Sequence, residues 1–104
     1  MAKSRYAIEM DFRRAKAQAD ALDNLANELN NLANKDYENT ITQIQANWES
    51  DNATIYFGKA QTVKERMNRS ASDLGKAADT IRQIAKNIYD AEMAALALAE
   101  ARSY

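Results

Sequence analysis

The sequence predicts an all-α protein in which two long helices fold back on each other as an antiparallel hairpin. The chain has 104 residues, no Pro and only two Gly, so the residues that punctuate sheets and tight turns are almost absent. Apolar side chains recur at intervals of three and four residues in both halves, which is the spacing of one helix face. A single short polar segment separates the two halves.

The first predicted helix covers about residues 5–48. Its apolar spacing continues without a break to Ala33, misses Asp36 and resumes at Tyr37. The successive four-residue steps around this point amount to one inserted residue, which should locally straighten the pair of helices. The segment 34–40 is also polar, so we expect a weak or bent turn there.

The predicted turn covers residues 49–52, where side chains that cap helices and form turns are clustered. A second helix is predicted for about residues 53–100. No linker or internal repeat interrupts the sequence, so residues 1–104 are predicted to form a single helical hairpin domain.

The large apolar side chains are few, because Leu, Ile, Val and Phe together number 17 whereas Ala alone numbers 21. One hairpin has too little of this material to close a core by itself. We therefore expect dimerisation into a four-helix bundle, as a homodimer or as a heterodimer with a related small helical protein. The residues expected at the core and dimer seam are Phe12, Leu22, Leu29, Ile41, Ile44, Val63, Met67, Leu74, Ile81, Ile84 and Ile88.

The charge distribution supports a hairpin. Residues 21–52 carry a net charge of −5 and residues 53–90 a net charge of +3, while the outer segments 1–20 and 91–104 sum to +2 and −1. Folding the chain back places each block beside one of opposite sign. Single exposed ion pairs are weak, so this pattern selects the pairing and orientation of the helices rather than supplying stability.

Composition also argues against several classes of function. Without Cys or His, the chain lacks thiolate ligands, a cysteine nucleophile and the commonest general base. Asp90 and Glu92 point about 200° apart on a helix, so they cannot act on one substrate. A formal net charge of −1 does not suit a nucleic-acid binder. We expect no catalytic residue, metal site, cofactor, nucleic-acid partner or transmembrane segment.

Two features leave alternatives open. Trp48, the only tryptophan, can plug the end of the hairpin, line a cleft that accepts a partner, or do both. Gly58 and Gly75 lie inside the second predicted helix, where each can permit a close approach or be a tolerated weak point.

The turn sequence Trp48-Glu49-Ser50, followed by Asn52-Ala53 and Tyr56, and the tail from Ile84 to Glu92 resemble one family. It is the WXG-100 superfamily of small proteins of type VII (ESAT-type) secretion, in particular its members from Gram-positive Firmicutes. Two departures are visible. Ser50 stands where the family has Gly, and the family's export signal Tyr-X-X-X-Asp/Glu is not met, because Met93 lies four residues after Tyr89 and Glu92 one residue early.

The resemblance implies a non-enzymatic protein that is exported, or that acts as targeting partner or chaperone for a larger helical-domain toxin. It implies secretion without a cleaved signal peptide, a cytoplasmic pool before export, and a secretion ATPase as partner. The implied recognition residues are Trp48, Ser50, Tyr56, Tyr89 and Glu92. The alternative is a cytoplasmic structural or adaptor hairpin that is not exported; a membrane-surface role is weaker, because neither helix has a Lys/Arg-rich polar face.

Overall fold

The computed structural model describes residues 3–102, and nearly all of them are helical. The elements are α1 (Arg5–Asn31), a π-helical segment (Leu32–Tyr37), α2 (Glu38–Asn47) and α3 (Asp51–Ala101). No strand occurs among the described residues. The predicted all-α class, with two long helical segments, is therefore confirmed.

The chain forms two compact units. The terminal unit consists of Met1–Leu22 and Lys76–Tyr104, and the turn unit consists of Asp23–Gly75. Each unit contains part of the first arm, which we define as residues 5–47, and part of α3. The sites described below each lie within one unit.

Ion pairs link the first arm to α3 within each unit. In the terminal unit the residue number rises along the first arm while that of its partner falls along α3, so the two elements run antiparallel there. The turn unit has a cross-arm pair of the same kind. The pairs, with N–O separations of 4.0, 2.8 and 3.0 Å, are Arg5–Glu100, Asp20–Arg82 and Glu38–Lys64.

The buried residues are almost all alanines. The methyl group of an alanine is much smaller than a leucine side chain, so two helices that meet at alanines can pack closely. Each alanine also buries little apolar area, and the burial of one methyl-sized group stabilises the fold by about 0.8 kcal/mol. The buried set is Ile8, Ala19, Ala26, Ala33, Ile41, Ala53, Ala60, Ala71, Ala78 and Ala85.

The seam residues expected from the sequence fall into three groups. Ile41 is buried, whereas Val63, Ile84 and Ile88 are exposed in the single chain. The other seam residues are partly buried, namely Phe12, Leu22, Leu29, Ile44, Met67, Leu74 and Ile81. The alanines occupy the line of contact between the arms, so the larger side chains lie beside that line or outside it.

The π-helical segment coincides with the phase shift in the sequence. Buried alanines on the first arm are spaced by seven residues up to Ala33, but the next buried residue, Ile41, follows after eight. A π turn contains one residue more than an α turn, so it keeps Ile41 on the buried side. The amide of Asn34, inside the segment, exchanges two hydrogen bonds of 3.0 and 3.1 Å with the amide of Asn68 on α3. The Tyr37 hydroxyl donates a 3.1 Å hydrogen bond to the carbonyl of Ala60.

The two glycines do not mark close approaches within the described chain. A Cβ added at Gly58 or at Gly75 would meet no described atom within 4 Å. Both therefore behave as weak points of α3, since a glycine in a helix interior costs about 1 kcal/mol relative to alanine.

Close packing at the alanines predicts a difference between neighbouring positions of α1. Ala19 is fully buried, so Ala19→Leu should lower the free energy of unfolding by about 1–3 kcal/mol through overpacking. Ala17 is exposed, and Ala17→Leu should change it by less than about 0.5 kcal/mol. Urea unfolding measures both variants; equal stabilities would contradict close packing at Ala19.

Candidate functional site

The turn between α2 and α3 does not need a glycine. Only residues 48–50 lie between the two helices, so the turn is shorter than expected and Asn52 belongs to α3. Trp48 has an extended backbone with φ −136° and ψ 110°. No described residue has a positive φ, and a serine can therefore occupy position 50 without backbone strain.

Ser50 is the N-cap of α3. Its side-chain Oγ accepts a 3.1 Å hydrogen bond from the backbone N–H of Ala53, and its carbonyl accepts a 3.2 Å bond from the N–H of Thr54. This arrangement satisfies N–H groups that a helix start otherwise leaves unpaired. Asp51 follows in the first turn, where a negative charge favours the helix dipole.

Three aromatic rings form a cluster next to this cap, which we call the turn cluster: Trp48, Tyr56 and Phe57. Their ring centroids lie 5.5 Å apart for Trp48–Tyr56, 6.0 Å for Trp48–Phe57 and 5.4 Å for Tyr56–Phe57. Trp48 is nevertheless 39% exposed and lines an open groove of about 360 Å³ with Gln45 and Thr54. The indole thus packs against its neighbours and also presents a surface.

A second group, the tail cluster, surrounds Tyr89 and Glu92 in the terminal unit. The ring of Tyr89 stacks on Phe12 with a centroid separation of 4.7 Å and an interplanar angle of 28°. The Lys3 ammonium lies 3.1 Å from the Glu92 carboxylate and 2.9 Å from that of Asp11. These five residues line a cleft of about 220 Å³, together with Ile8, Ala15, Ala85 and Ile88.

The charges of the tail cluster stabilise one another. Hydrogen bonds to Asp11 and Glu92 raise the pKa of Lys3 above its ordinary value. The hydrogen bond from Lys3 lowers the pKa of Asp11 below its usual 3.8. The ionised forms of Lys3 and Asp11 are therefore favoured together at neutral pH.

The structure groups the predicted recognition residues into these two clusters. Trp48, Ser50 and Tyr56 lie together in the turn unit, and Tyr89 and Glu92 lie together in the terminal unit. Asp90 and Glu92 have different partners. The Asp90 carboxylate lies 2.9 Å from the Lys86 ammonium on the same helix, α3. The same contact raises the pKa of Lys86.

Sequence reasoning missed three residues of these clusters. Phe57 could have been found, because it lies midway between Ala53 and Ala60 on the face that packs inward. Lys3 and Asp11 carried no comparable signal. Their shared contact depends on where the chain enters α1, which the charge blocks do not resolve.

The residues that the structure describes contain no group of Asp and Glu side chains arranged to hold a metal ion. None of the described helices combines the length and apolarity needed to cross a membrane.

Comparison with known proteins found no counterpart. No family model matches the chain, no curated protein matches it, and no solved structure matches it.

The cap at Ser50 can be tested by substitution. Ser50→Ala should lower the free energy of unfolding by about 1 kcal/mol, and Ser50→Gly by a few tenths, because the Oγ acceptor is lost. Ser72→Ala, at an exposed position inside α3, is the matched control and should not destabilise the protein. Urea unfolding measures each variant. A more stable Ser50→Gly protein would show that residue 50 needs the freedom of glycine.

The Lys3–Asp11 pair predicts a pH dependence. Because the pKa of Asp11 is lower in the folded chain than its usual 3.8, the pair favours folding above that pH and loses this effect as the pH falls through the lowered pKa. At the alkaline end, the pair stops favouring folding when Lys3 loses its proton, as the pH rises through the raised pKa of Lys3. An NMR titration should show the Asp11 pKa moving up towards 3.8 in Lys3→Met but not in Arg13→Met.

Proposed function

We propose that the chain is a small, non-enzymatic type VII secretion protein that acts as a dimer, either as an exported substrate or as the targeting partner of a larger helical-domain toxin. The observation that carries the proposal is the turn cluster. Its tryptophan is 39% exposed although it packs against two other rings. An aromatic ring held in place at the rim of a groove is typical of a recognition surface.

The exposed apolar side chains support the dimer. In the turn unit, Leu25 directly precedes buried Ala26 and Leu32 directly precedes buried Ala33. On α3 of the same unit, Val63 follows buried Ala60 by three residues. At about 100° per residue, one step back and three steps forward both rotate away from the buried line in the same sense.

On two antiparallel helices, rotation in the same sense away from the line of contact leads to the same side of the pair. Leu25, Leu32 and Val63 are therefore expected to share one face of the turn unit. The same offsets recur around Ala85 in the terminal unit, where Ile84 and Ile88 are each 52% exposed. Exposed apolar side chains that share one face are typical of protein interaction sites, and we propose that a second copy or a related small helical protein covers them.

The exposed apolar residues of the terminal unit predict which substitution breaks the dimer. Ile84→Glu should dissociate it, because a carboxylate would be buried at the interface without a partner. Ile55 is also exposed, at 59%, but follows Ala53 by two residues and so points elsewhere; Ile55→Glu is the matched control. Light scattering should give about 12 kDa for Ile84→Glu and about twice the 11.7 kDa chain mass for the control. A wild-type monomer at micromolar concentration would contradict the dimer.

The secretion role is tested in the organism that encodes the chain. The protein should accumulate in the culture medium with its N-terminal peptide intact, and deletion of the secretion ATPase should retain it in the cells. Trp48→Phe keeps an aromatic ring but loses the indole N–H and some area, so we expect weaker export without unfolding. Retention of the wild-type protein in both strains would favour the alternative, a cytoplasmic adaptor.

A further inference from the structure

We propose that, within the tail cluster, Lys3 and Phe12 act as a clamp that shields Tyr89 and Glu92 from a partner until the clamp is displaced. This inference rests on the proposed function and on the resemblance described above, which implies that Tyr89 and Glu92 are recognition residues. In this proposal, Lys3 and Phe12 control the access of a partner to Tyr89 and Glu92.

Lys3 holds the carboxylates. Its ammonium lies between Glu92 at 3.1 Å and Asp11 at 2.9 Å, so it joins the start of the first arm to α3. The side chain of Glu92 is only 24% exposed, whereas glutamates are usually among the most exposed residues of a protein. A partner that reads this carboxylate with its own cation must first replace Lys3.

Phe12 covers the aromatic ring. Its stacked contact with Tyr89 at 4.7 Å occupies one face of the tyrosine ring. The Lys16 ammonium lies 5.3 Å from the Phe12 ring centroid, which further holds Phe12 in place. The ring of Tyr89 is thus partly covered by α1 before any partner arrives.

The clamp can open at low cost. Lys3 lies before the first residue of α1, and its side chain is 49% exposed. The Lys3–Asp11 pair is about half exposed, so breaking it costs little stability. A cation of the partner that replaces Lys3 would keep the Glu92 carboxylate paired. The cleft of about 220 Å³ beside Phe12 and Tyr89 has room for an entering side chain.

Nitration of tyrosines in the full-length protein tests the shielding directly. Tetranitromethane labelling, read out peptide by peptide by mass spectrometry, should modify Tyr89 about fivefold faster in Phe12→Leu than in the wild type, because the variant loses the stacked ring. Tyr6, which is 73% exposed, serves as the internal reference. Arg13→Met, at an exposed position of α1, should leave the nitration rate unchanged, and it is the charge-matched control for Lys3→Met in the export experiment. Circular dichroism confirms that each variant stays helical.

Export of the same variants, with and without the secretion ATPase, tests the regulation. If the clamp withholds the signal, ATPase-dependent export rises in Lys3→Met and not in Arg13→Met. Unchanged Tyr89 nitration in Phe12→Leu overturns the proposal, and so does unchanged export of Lys3→Met in a strain that exports the wild-type protein. If the wild-type protein is not exported at all, the proposed function fails and the regulatory role fails with it, whereas the nitration rates still show whether α1 shields Tyr89.

Discussion

The structure depends on the small side chains buried along the first arm and α3. Among the described residues, eight of the ten that are buried are alanines, and such small side chains let two helices lie close together without large apolar groups between them. The larger residues are consequently left at the flanks or on the outside. A fold closed in this way gains little from each buried group, and the exposed leucines and isoleucines remain available for a second chain.

A second constraint is the register of the arms in the turn unit. Alanine methyl groups are nearly equivalent to one another, so they select a separation between helices but not a unique sliding position. The polar contacts at the π-helical segment supply that selection. Asn34 and Asn68 pair through two amide hydrogen bonds, and Tyr37 reaches the carbonyl of Ala60. A slip by one turn would leave these groups without their partners.

Much of the architecture could be predicted from the sequence, because helix periodicity, the polar turn and the phase shift near Asp36 are local signals. The choice between two neighbouring apolar stripes could not. Hydrophobicity favours Val63, Ile84 and Ile88 as the inward face, yet those residues are exposed and Ala60 and Ala85 are buried. The size of the side chain decides which stripe is buried, and the periodicity of apolar residues carries no information on side-chain size. Of the predicted recognition residues, those near the turn were accessible to sequence reasoning because they lie close together in the sequence, whereas the contact of Lys3 with Glu92 joins distant parts of the chain.

The π-helical segment also bears on how such a chain can change in length. Residues Leu32–Tyr37 hold one residue more than α-helical winding would need to bring Ala33 and Ile41 to the same side. Loss of one residue here would convert the segment to ordinary α-helix and restore a seven-residue spacing between those positions. Elsewhere along the first arm, the same loss would rotate every following side chain by about 100°. Evolutionary insertions and deletions of single residues are therefore expected to concentrate in this short stretch.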